Sequence, residues 1–189
     1  MVINIIGDCD KRPVLYTIMK ICQSLGDVLL VSSSSRLIRL SDTRDTYGHY
    51  QNCMIAITQD GIDDFFEEFV YDITDFEFII VDNIVTADAD LVIYVAGMTQ
   101  SIQEHDNLEY IDNYETIELY RGRLLDASTM LKCEEFEALG NMCPIGTKIA
   151  EKVANALCKQ LGTDAKKLVT IAMNTGITSS KGTAGKRGR

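Results

Sequence analysis

The sequence is poor in histidine and contains no long hydrophobic run. His49 and His105 are the only histidines among 189 residues, so no Cys–His or Ser–His–Asp catalytic arrangement can be ordered from the pattern. His49 and Cys53 stand four residues apart, but no second closely spaced pair completes the four ligands of a structural zinc site, and we expect no metal site. No stretch approaches the roughly 18 to 20 apolar residues of a membrane-spanning helix, and the first residues lack the basic region and cleavage site of a secretion signal. We therefore expect neither a membrane span nor secretion.

The cysteines never occur in the Cys-x-x-Cys spacing that is typical of metal and redox motifs. Without a secretory context, such cysteines indicate thiols in a reducing compartment. We therefore expect a cytoplasmic protein whose thiols are mostly buried. The residues concerned are Cys9, Cys22, Cys53, Cys133, Cys143 and Cys158.

Basic residues are absent from a long central stretch. Between Asp45 and Tyr120 there is no lysine or arginine, whereas 18 residues are acidic. With 12 basic against 28 acidic residues, residues 1–164 carry a charge of −16, and residues 165–189 carry +6. The acidic stretch repels phosphate backbones, which excludes nucleic-acid binding by this region. Two interpretations stay open for this acidic surface: a solvated face, or a docking surface for a protein partner with a basic surface.

The composition predicts one folded domain followed by a short tail. Hydrophobic residues make up 46% and charged residues 24% of the chain, which is ordinary for a globular protein and excludes a wholly disordered one. The length predicts a single domain, to which we assign residues 1–173. Residues 174–189 are rich in glycine, serine and threonine and end in basic residues, so we expect a flexible basic tail. We expect this tail to help self-association or partner docking through the acidic surface.

The N-terminal pattern predicts a strand, a helix and a second strand within about 30 residues. Val2–Ile6 is a short run of apolar residues around Asn4 and is followed by Gly7. Pro13 suits the first turn of a helix, and apolar residues then recur at helical spacing until Gly26. Val28–Val31 is the next apolar run. This order is typical of a βαβ unit, whose two strands are parallel.

Further apolar runs continue the alternation of strands and helices, with one ambiguous segment at Leu168–Met173 that fits either a strand or a helix. The whole pattern predicts an α/β fold with a mostly parallel, doubly wound sheet of Rossmann-like or P-loop-like type and helices on both faces. The predicted strands are Cys53–Thr58, Phe76–Val81 and Asp90–Ala96. The predicted helices are Gly61–Ile73, a segment within residues 100–120, and Ile149–Leu161.

The order of these segments resembles that of the ParA/MinD family of deviant-Walker P-loop ATPases. The resemblance rests on the first strand with its loop, the helix from Pro13, the second strand, and a later strand that ends in aspartate like the family's second acidic motif. It covers residues 3–95 in order and leaves the C-terminal half unmatched. The matching segments are Ile3–Gly7, Val28–Ser34, Asp75–Asp82 and Ala89–Val95.

The resemblance implies a site for ATP and magnesium at the first loop. In that case Gly7, Lys11, Arg12 and Asp82 are the nucleotide-binding residues. Lys11 or Arg12 would contact phosphate, and Asp82 would hold magnesium. No catalytic residue and no further metal ligand is implied.

The first loop departs from a working phosphate loop and is a degenerate Walker A motif. It contains one glycine, whereas several are needed for backbone N–H groups to wrap a phosphate. Asp8 and Asp10 repel phosphate, and Pro13 and Val14 stand where a serine or threonine for magnesium is expected. The second strand ends in Ser32–Ser34, where active relatives have aspartates. We therefore expect an empty site, with nucleotide binding without turnover and ordinary ATP hydrolysis as the alternatives.

Two other interpretations of these polar residues are weaker. Asp8 and Asp10 are also similar to the acidic pocket of a response-regulator receiver domain, but the third predicted strand is followed by Gln59 and not by an aspartate. Ser32–Ser35 offers four hydroxyls at a strand end, where capping of a following turn is more typical than phosphate binding.

The sequence thus predicts a non-catalytic, degenerate ParA/MinD-like module that acts through protein–protein interaction, without a cofactor, as a component of a larger assembly. The alternative is a nucleotide-switched ATPase with an unusual phosphate loop, using ATP and magnesium. For an empty site we expect Lys11 and Arg12 to be surface residues, whose replacement by alanine changes the free energy of unfolding by no more than about 0.5 kcal/mol.

Overall fold

The protein has an α/β fold in which seven strands form one mostly parallel sheet. The computed structural model describes residues 1–41, 45–58, 62–68, 71–82, 84, 86, 88–97, 108–118 and 148–178. The strands lie in the order β3-β4-β2-β5-β1-β6-β7. Only β3 and β4 pair antiparallel, and the other five pairs are parallel. The strands are β1 Val2–Ile6, β2 Val28–Ser32, β3 Tyr47–Tyr50, β4 Cys53–Ile57, β5 Phe78–Asp82, β6 Leu91–Ala96 and β7 Glu115–Glu118.

Within the residues that the structure describes, four helices and two short 3-10 segments accompany the sheet. The 3-10 segments follow β2 and precede β5, at Leu37–Leu40 and Ile73–Asp75. No helix within the described ranges is both long and apolar enough to cross a membrane. The helices are α1 Arg12–Gln23, α2 Ile62–Glu68, α3 Lys148–Leu161 and α4 Ala165–Thr178.

The strand residues divide between two main hydrophobic clusters because successive side chains of a strand point to opposite faces. In the larger cluster, Ile3 and Ile5 of β1 pack with residues of α1, α3 and α4, among them Ile18 and Leu157. In the smaller one, alternate residues of β2, β4 and β5 pack with α2, among them Phe65. The central strands β2 and β5 are therefore fully buried, and they are apolar up to their last residues, Ser32 and Asp82.

Local signals place the helix ends. Proline stands in the first turn of α1, where its missing N–H group is not needed. At the other end Ser24 donates a hydrogen bond from its hydroxyl to the carbonyl of Ile21, at 2.6 Å. Helix α3 stops at Gly162, which has φ 62° and takes the left-handed conformation that commonly ends helices.

Several predicted segments need correction. The strand Tyr47–Tyr50 was not predicted, and residues 115–118 form strand β7 where the apolar spacing of 100–120 predicted a helix. The predicted helix Gly61–Ile73 is too long, since Asp72 caps a separate 3-10 segment. The ambiguous segment Leu168–Met173 is helical, and α4 continues to Thr178, so the first residues of the predicted tail 174–189 belong to a helix. Residues 179–189 lie outside the described part of the chain.

Candidate functional site

The loop between β1 and α1 borders a cavity of about 460 Å³. It starts at Gly7, whose φ of 133° disfavours any residue with a side chain. Strand β5 is a parallel neighbour of β1, with Ile5 opposite Asp82, so the carboxyl end of β5 reaches the same edge of the sheet. All four residues nominated as a nucleotide site line this cavity. The full lining is Gly7, Asp8, Cys9, Asp10, Lys11, Arg12, Leu15, Ser34, Arg36, Leu37 and Asp82.

Lys11 and Asp82 form an ion pair at the base of the cavity. The distance from Lys11 Nζ to Asp82 Oδ1 is 3.1 Å. The two residues are 6% and 3% exposed, so the prediction that Lys11 is a surface residue is wrong. The reason is the sheet order, which brings the end of β5 beneath a loop 71 positions earlier in the chain.

The second oxygen of Asp82 connects the ion pair to strand β2. Ser32 donates a hydrogen bond from its hydroxyl to Asp82 Oδ2 at 2.8 Å, and its Oγ accepts one from the backbone N–H of Ser34 at 3.0 Å. Ser32 is fully buried, and in the β2–β5 register it stands directly opposite Asp82. The serine that replaces an aspartate at the end of the second strand thus holds the carboxylate of Asp82 in place.

Arg12 is engaged by its own loop. Its Nε donates to Asp10 Oδ1 at 2.7 Å, its Nη2 contacts Asp10 Oδ2, and its backbone N–H also donates to Asp10 Oδ1 at 3.2 Å. Partial burial opposes ionisation of Asp10, but the hydrogen bonds and charge of Arg12, with the charge of Arg36, outweigh it and keep the pKa of Asp10 below its ordinary value. Asp10 is therefore an ionised partner of Arg12 at neutral pH.

Further contacts fix the loop to the rest of the fold. The thiol of Cys9 donates to the carbonyl of Val95 on β6 at 3.3 Å. The carbonyl of Lys11 accepts hydrogen bonds from the backbone N–H groups of Val14 and Leu15, both at 2.9 Å. These two donors belong to the first turn of α1, so Lys11 serves as its N-cap residue.

The charges around the cavity balance one another. Three cationic side chains line it, Lys11, Arg12 and Arg36, together with the carboxylates of Asp8, Asp10 and Asp82. An anion that binds Lys11 or Arg12 therefore has to displace the carboxylate that each of them already contacts.

Sequence reasoning missed two residues of this site. Arg36 lies in the segment after β2 and is exposed, and no local pattern points it toward the loop. Ser32 was predicted to cap a following turn, and it does accept a hydrogen bond from the N–H of Ser34, but its contact with Asp82 was missed, although its position at the end of a strand that neighbours β5 would have suggested it.

The cysteine and histidine residues form no comparable site. His49 and Cys53 lie on the two antiparallel strands β3 and β4, and not on one helix. Within the described ranges no group of three or more His, Cys, Asp or Glu is arranged to hold a metal ion. Cys22 and Cys53 are buried thiols, and burial raises the pKa of both. Residues 133 and 143 lie outside the described part.

A comparison of the chain with protein-family models, with curated proteins and with solved structures finds no match. The chemistry of the site therefore has to be argued from its own residues.

Proposed function

We propose that this chain is a non-catalytic, degenerate ParA/MinD-like module that acts through contacts with other proteins. The observation that supports it is the buried ion pair between Lys11 and Asp82, at 3.1 Å. The residue nominated to bind phosphate and the residue nominated to hold magnesium neutralise each other.

The cost of opening this pair argues against phosphate binding. Removing one partner from a buried ion pair leaves an uncompensated charge, at a cost of about 3–5 kcal/mol. A phosphate that takes Lys11 from Asp82 has to offset that cost. The loop has few other donors for a phosphate. Arg12 is bound by Asp10, and a proline in the first turn of α1 removes a backbone N–H donor.

A thermal-shift measurement with ATP and magnesium tests this proposal. A ligand at about 100 times its dissociation constant adds about 2.7 kcal/mol to the free energy of unfolding, which raises Tm by about 5–10 °C in a chain of this size. We expect no rise with millimolar ATP or ADP beyond the rise that the same concentration of sulfate gives. A rise specific to nucleotide would overturn the proposal.

The second candidate is the nucleotide-switched ATPase, and the cavity of about 460 Å³ favours it, since Gly7, Lys11, Arg12 and Asp82 all line that space. In this case Lys11 would contact the phosphate of ATP, and the Asp82 carboxylate would hold magnesium. Asp82→Asn then abolishes a nucleotide-specific thermal shift. Under the first candidate the same variant lowers the free energy of unfolding, because Lys11 loses its buried partner, but the folded variant binds its protein partner as the wild type does.

We further propose that the sheet is doubly wound, P-loop-like, and covered by helices on both faces. The support is the division of strand residues between a cluster containing α1, α3 and α4 and a cluster containing α2.

The proposed partner is a protein with a basic surface or a second copy of the chain, and the proposed location is the cytoplasm. The support for a basic partner is the stretch from Asp45 to Tyr120, with 18 acidic residues and no basic one.

A further inference from the structure

Exposed apolar side chains collect at the amino end of the parallel strands, the edge opposite the cavity. Three of the six large hydrophobic residues described as exposed are Leu25, Tyr71 and Ile73, with exposed fractions of 38%, 38% and 49%. They belong to the segments that lead into β2 and β5, which are neighbours in the sheet. We call Leu25–Asp27 together with Tyr71–Glu77 the amino-edge patch.

Hydrogen bonds join the two segments of the amino-edge patch. The backbone N–H of Asp27 donates to Glu77 Oε2 at 2.7 Å, and the N–H of Glu77 donates to the carbonyl of Asp27 at 3.1 Å. The side chain of Glu77 lies over Gly26, so closely that a Cβ atom at Gly26 would stand 2.9 Å from its Cγ. The two segments therefore form one continuous surface.

The exposed part of the patch is ordered by its own side chains. Asp72 Oδ1 accepts hydrogen bonds from the backbone N–H and the hydroxyl of Thr74, at 2.9 and 2.7 Å. Asp75 Oδ2 accepts one from the N–H of Asp72 at 2.8 Å, and the rings of Tyr71 and Phe76 are 5.9 Å apart. A surface that is ordered before binding loses little conformational entropy on association.

The patch combines apolar side chains with exposed carboxylates. Asp27, Asp72, Asp75 and Glu77 are all exposed, and the hydrogen bonds from Thr74 keep the pKa of Asp72 below its ordinary value. Lysine and arginine side chains match this combination, because each has an apolar stem and a cationic head, and arginine also stacks on tyrosine rings.

The chain itself contains a segment of that chemistry. Residues 179–189 include four basic residues and no acidic one. The basic residues are Lys181, Lys186, Arg187 and Arg189.

The helices lead this segment away from the patch of its own copy. The end of α3 is at the amino edge, where Lys159 pairs with Glu115 at the start of β7. Helix α4 then returns alongside α3, since Ala165 and Val169 border one groove with Asn155 and Glu151. Its 14 residues span about 21 Å, so the segment after Thr178 begins toward the opposite edge of the sheet.

We propose that residues 179–189 of one copy dock on the amino-edge patch of a second copy, so that copies associate head to tail. The inference rests on the proposed function as an interaction module and names its surface and its partner. The contact is heterologous, because the two surfaces that meet are different parts of the chain.

Self-association of the full chain tests the proposal. We expect the mass by light scattering to rise with protein concentration at low salt and to rise less at about 0.5 M salt, because exposed charges are then strongly screened. The double variant Tyr71→Ser/Ile73→Ser should raise the dissociation constant about tenfold, as loss of anchoring side chains does. The matched control is Tyr110→Ser, which changes a tyrosine that is 88% exposed outside the patch and should leave the mass unchanged.

Mixing two variants tests whether the basic segment of one copy meets the amino-edge patch of another. The patch variant Tyr71→Ser/Ile73→Ser keeps its basic segment, and the segment variant Lys186→Gln/Arg187→Gln/Arg189→Gln keeps its patch. At a protein concentration between the dissociation constants of the wild type and the variants, each should be monomeric alone, and an equimolar mixture should form dimers and no larger species.

A mixture that stays monomeric overturns the proposal, as does a wild-type chain that is monomeric at all concentrations because the segment binds within its own copy. Either result leaves the nucleotide thermal-shift test untouched, so failure of this inference and failure of the proposed function are distinguishable.

Discussion

At the scale of single residues, the environment of Lys11 decides what the first loop can do. Its ammonium group and the carboxylate of Asp82 are both more than nine-tenths buried, and they form an ion pair at 3.1 Å. A buried pair of this kind adds little net stability compared with apolar residues, but the loss of one partner is costly. The hydroxyl of Ser32 on strand β2 also donates to Asp82, so the loss of Asp82 would leave that hydroxyl without this acceptor.

Lys11→Ala should therefore lower the free energy of unfolding by about 3–5 kcal/mol, since Asp82 keeps a buried charge without its partner. Arg12→Ala, the matched control, should cost about 1 kcal/mol or less, because the Arg12–Asp10 pair is partly exposed. Urea denaturation measures both. Equal effects of the two variants would contradict the structural role of the buried pair. The double variant Lys11→Met/Asp82→Asn leaves no unpaired buried charge and should recover much of the lost free energy of unfolding.

The pKa of Asp10 predicts one contribution to acid sensitivity. Because this pKa is lower in the folded chain than in the unfolded chain, Asp10 stabilises the fold above about pH 4 and loses that contribution as the pH falls through its folded pKa. Asp10→Asn should therefore be less stable than the wild type at pH 7, and the difference should shrink toward pH 2. A difference that stays constant with pH would show that the charge of Asp10 is not its cause.

At the scale of secondary-structure elements, sequence patterns predicted the strands whose own residues are mostly apolar and missed those that depend on pairing with a neighbour. Strand β1 is confirmed over Val2–Ile6, because four apolar residues around Asn4, followed by a glycine, fit a buried strand. Strand β3 was missed because its exposed residues alternate with buried ones over only four positions and it needs pairing with β4. Strand β7 has one buried residue, Ile117, so its four residues show no clear alternation, and the apolar spacing of the surrounding segment also fits a helix.

The end of α3 provides a test of local backbone conformation. Gly162 has φ 62°, and apart from its own chain neighbours no atom lies within 4 Å of the position of an added Cβ. Gly162→Ala should therefore cost about 1–2 kcal/mol through backbone strain alone. Gly162→Asn is the control, since asparagine tolerates this conformation better and should cost less. Chemical denaturation compares the two, and equal costs would exclude backbone strain as the reason.

At the scale of the whole molecule, the candidate site depends on a sheet order that no local pattern contains. The residues Gly7, Lys11, Arg12 and Asp82 were nominated by resemblance, and the structure brings them around one cavity. Their charge balance was not predictable, because the pairing of Lys11 with Asp82 depends on β5 lying beside β1. The contrast between the acidic residues 1–164 and the basic residues 165–189 was predicted from the charge distribution. The amino-edge patch was not predicted, because it depends on β2 and β5 being neighbours in the sheet.

The formal charge of −10 predicts how salt affects global stability. Repulsion among the acidic residues opposes the compact state, and added salt screens it. Tm should rise between about 20 and 300 mM sodium chloride, by about 2–4 °C for each kcal/mol gained. Differential scanning fluorimetry at low protein concentration measures this without self-association. A fall in Tm would mean that screened attractive pairs outweigh the repulsion.

The position of β1 in the sheet has a consequence for synthesis on the ribosome. This first strand pairs on one side with Ile79–Asp82 and on the other with Leu91–Tyr94, so its two neighbours are made some 75 to 90 residues later. At about 5–20 residues per second, β1 emerges several seconds before either neighbour. Its isoleucines then have no sheet to enter, and a nascent chain stalled before β5 would present them to chaperones or to other unfinished copies.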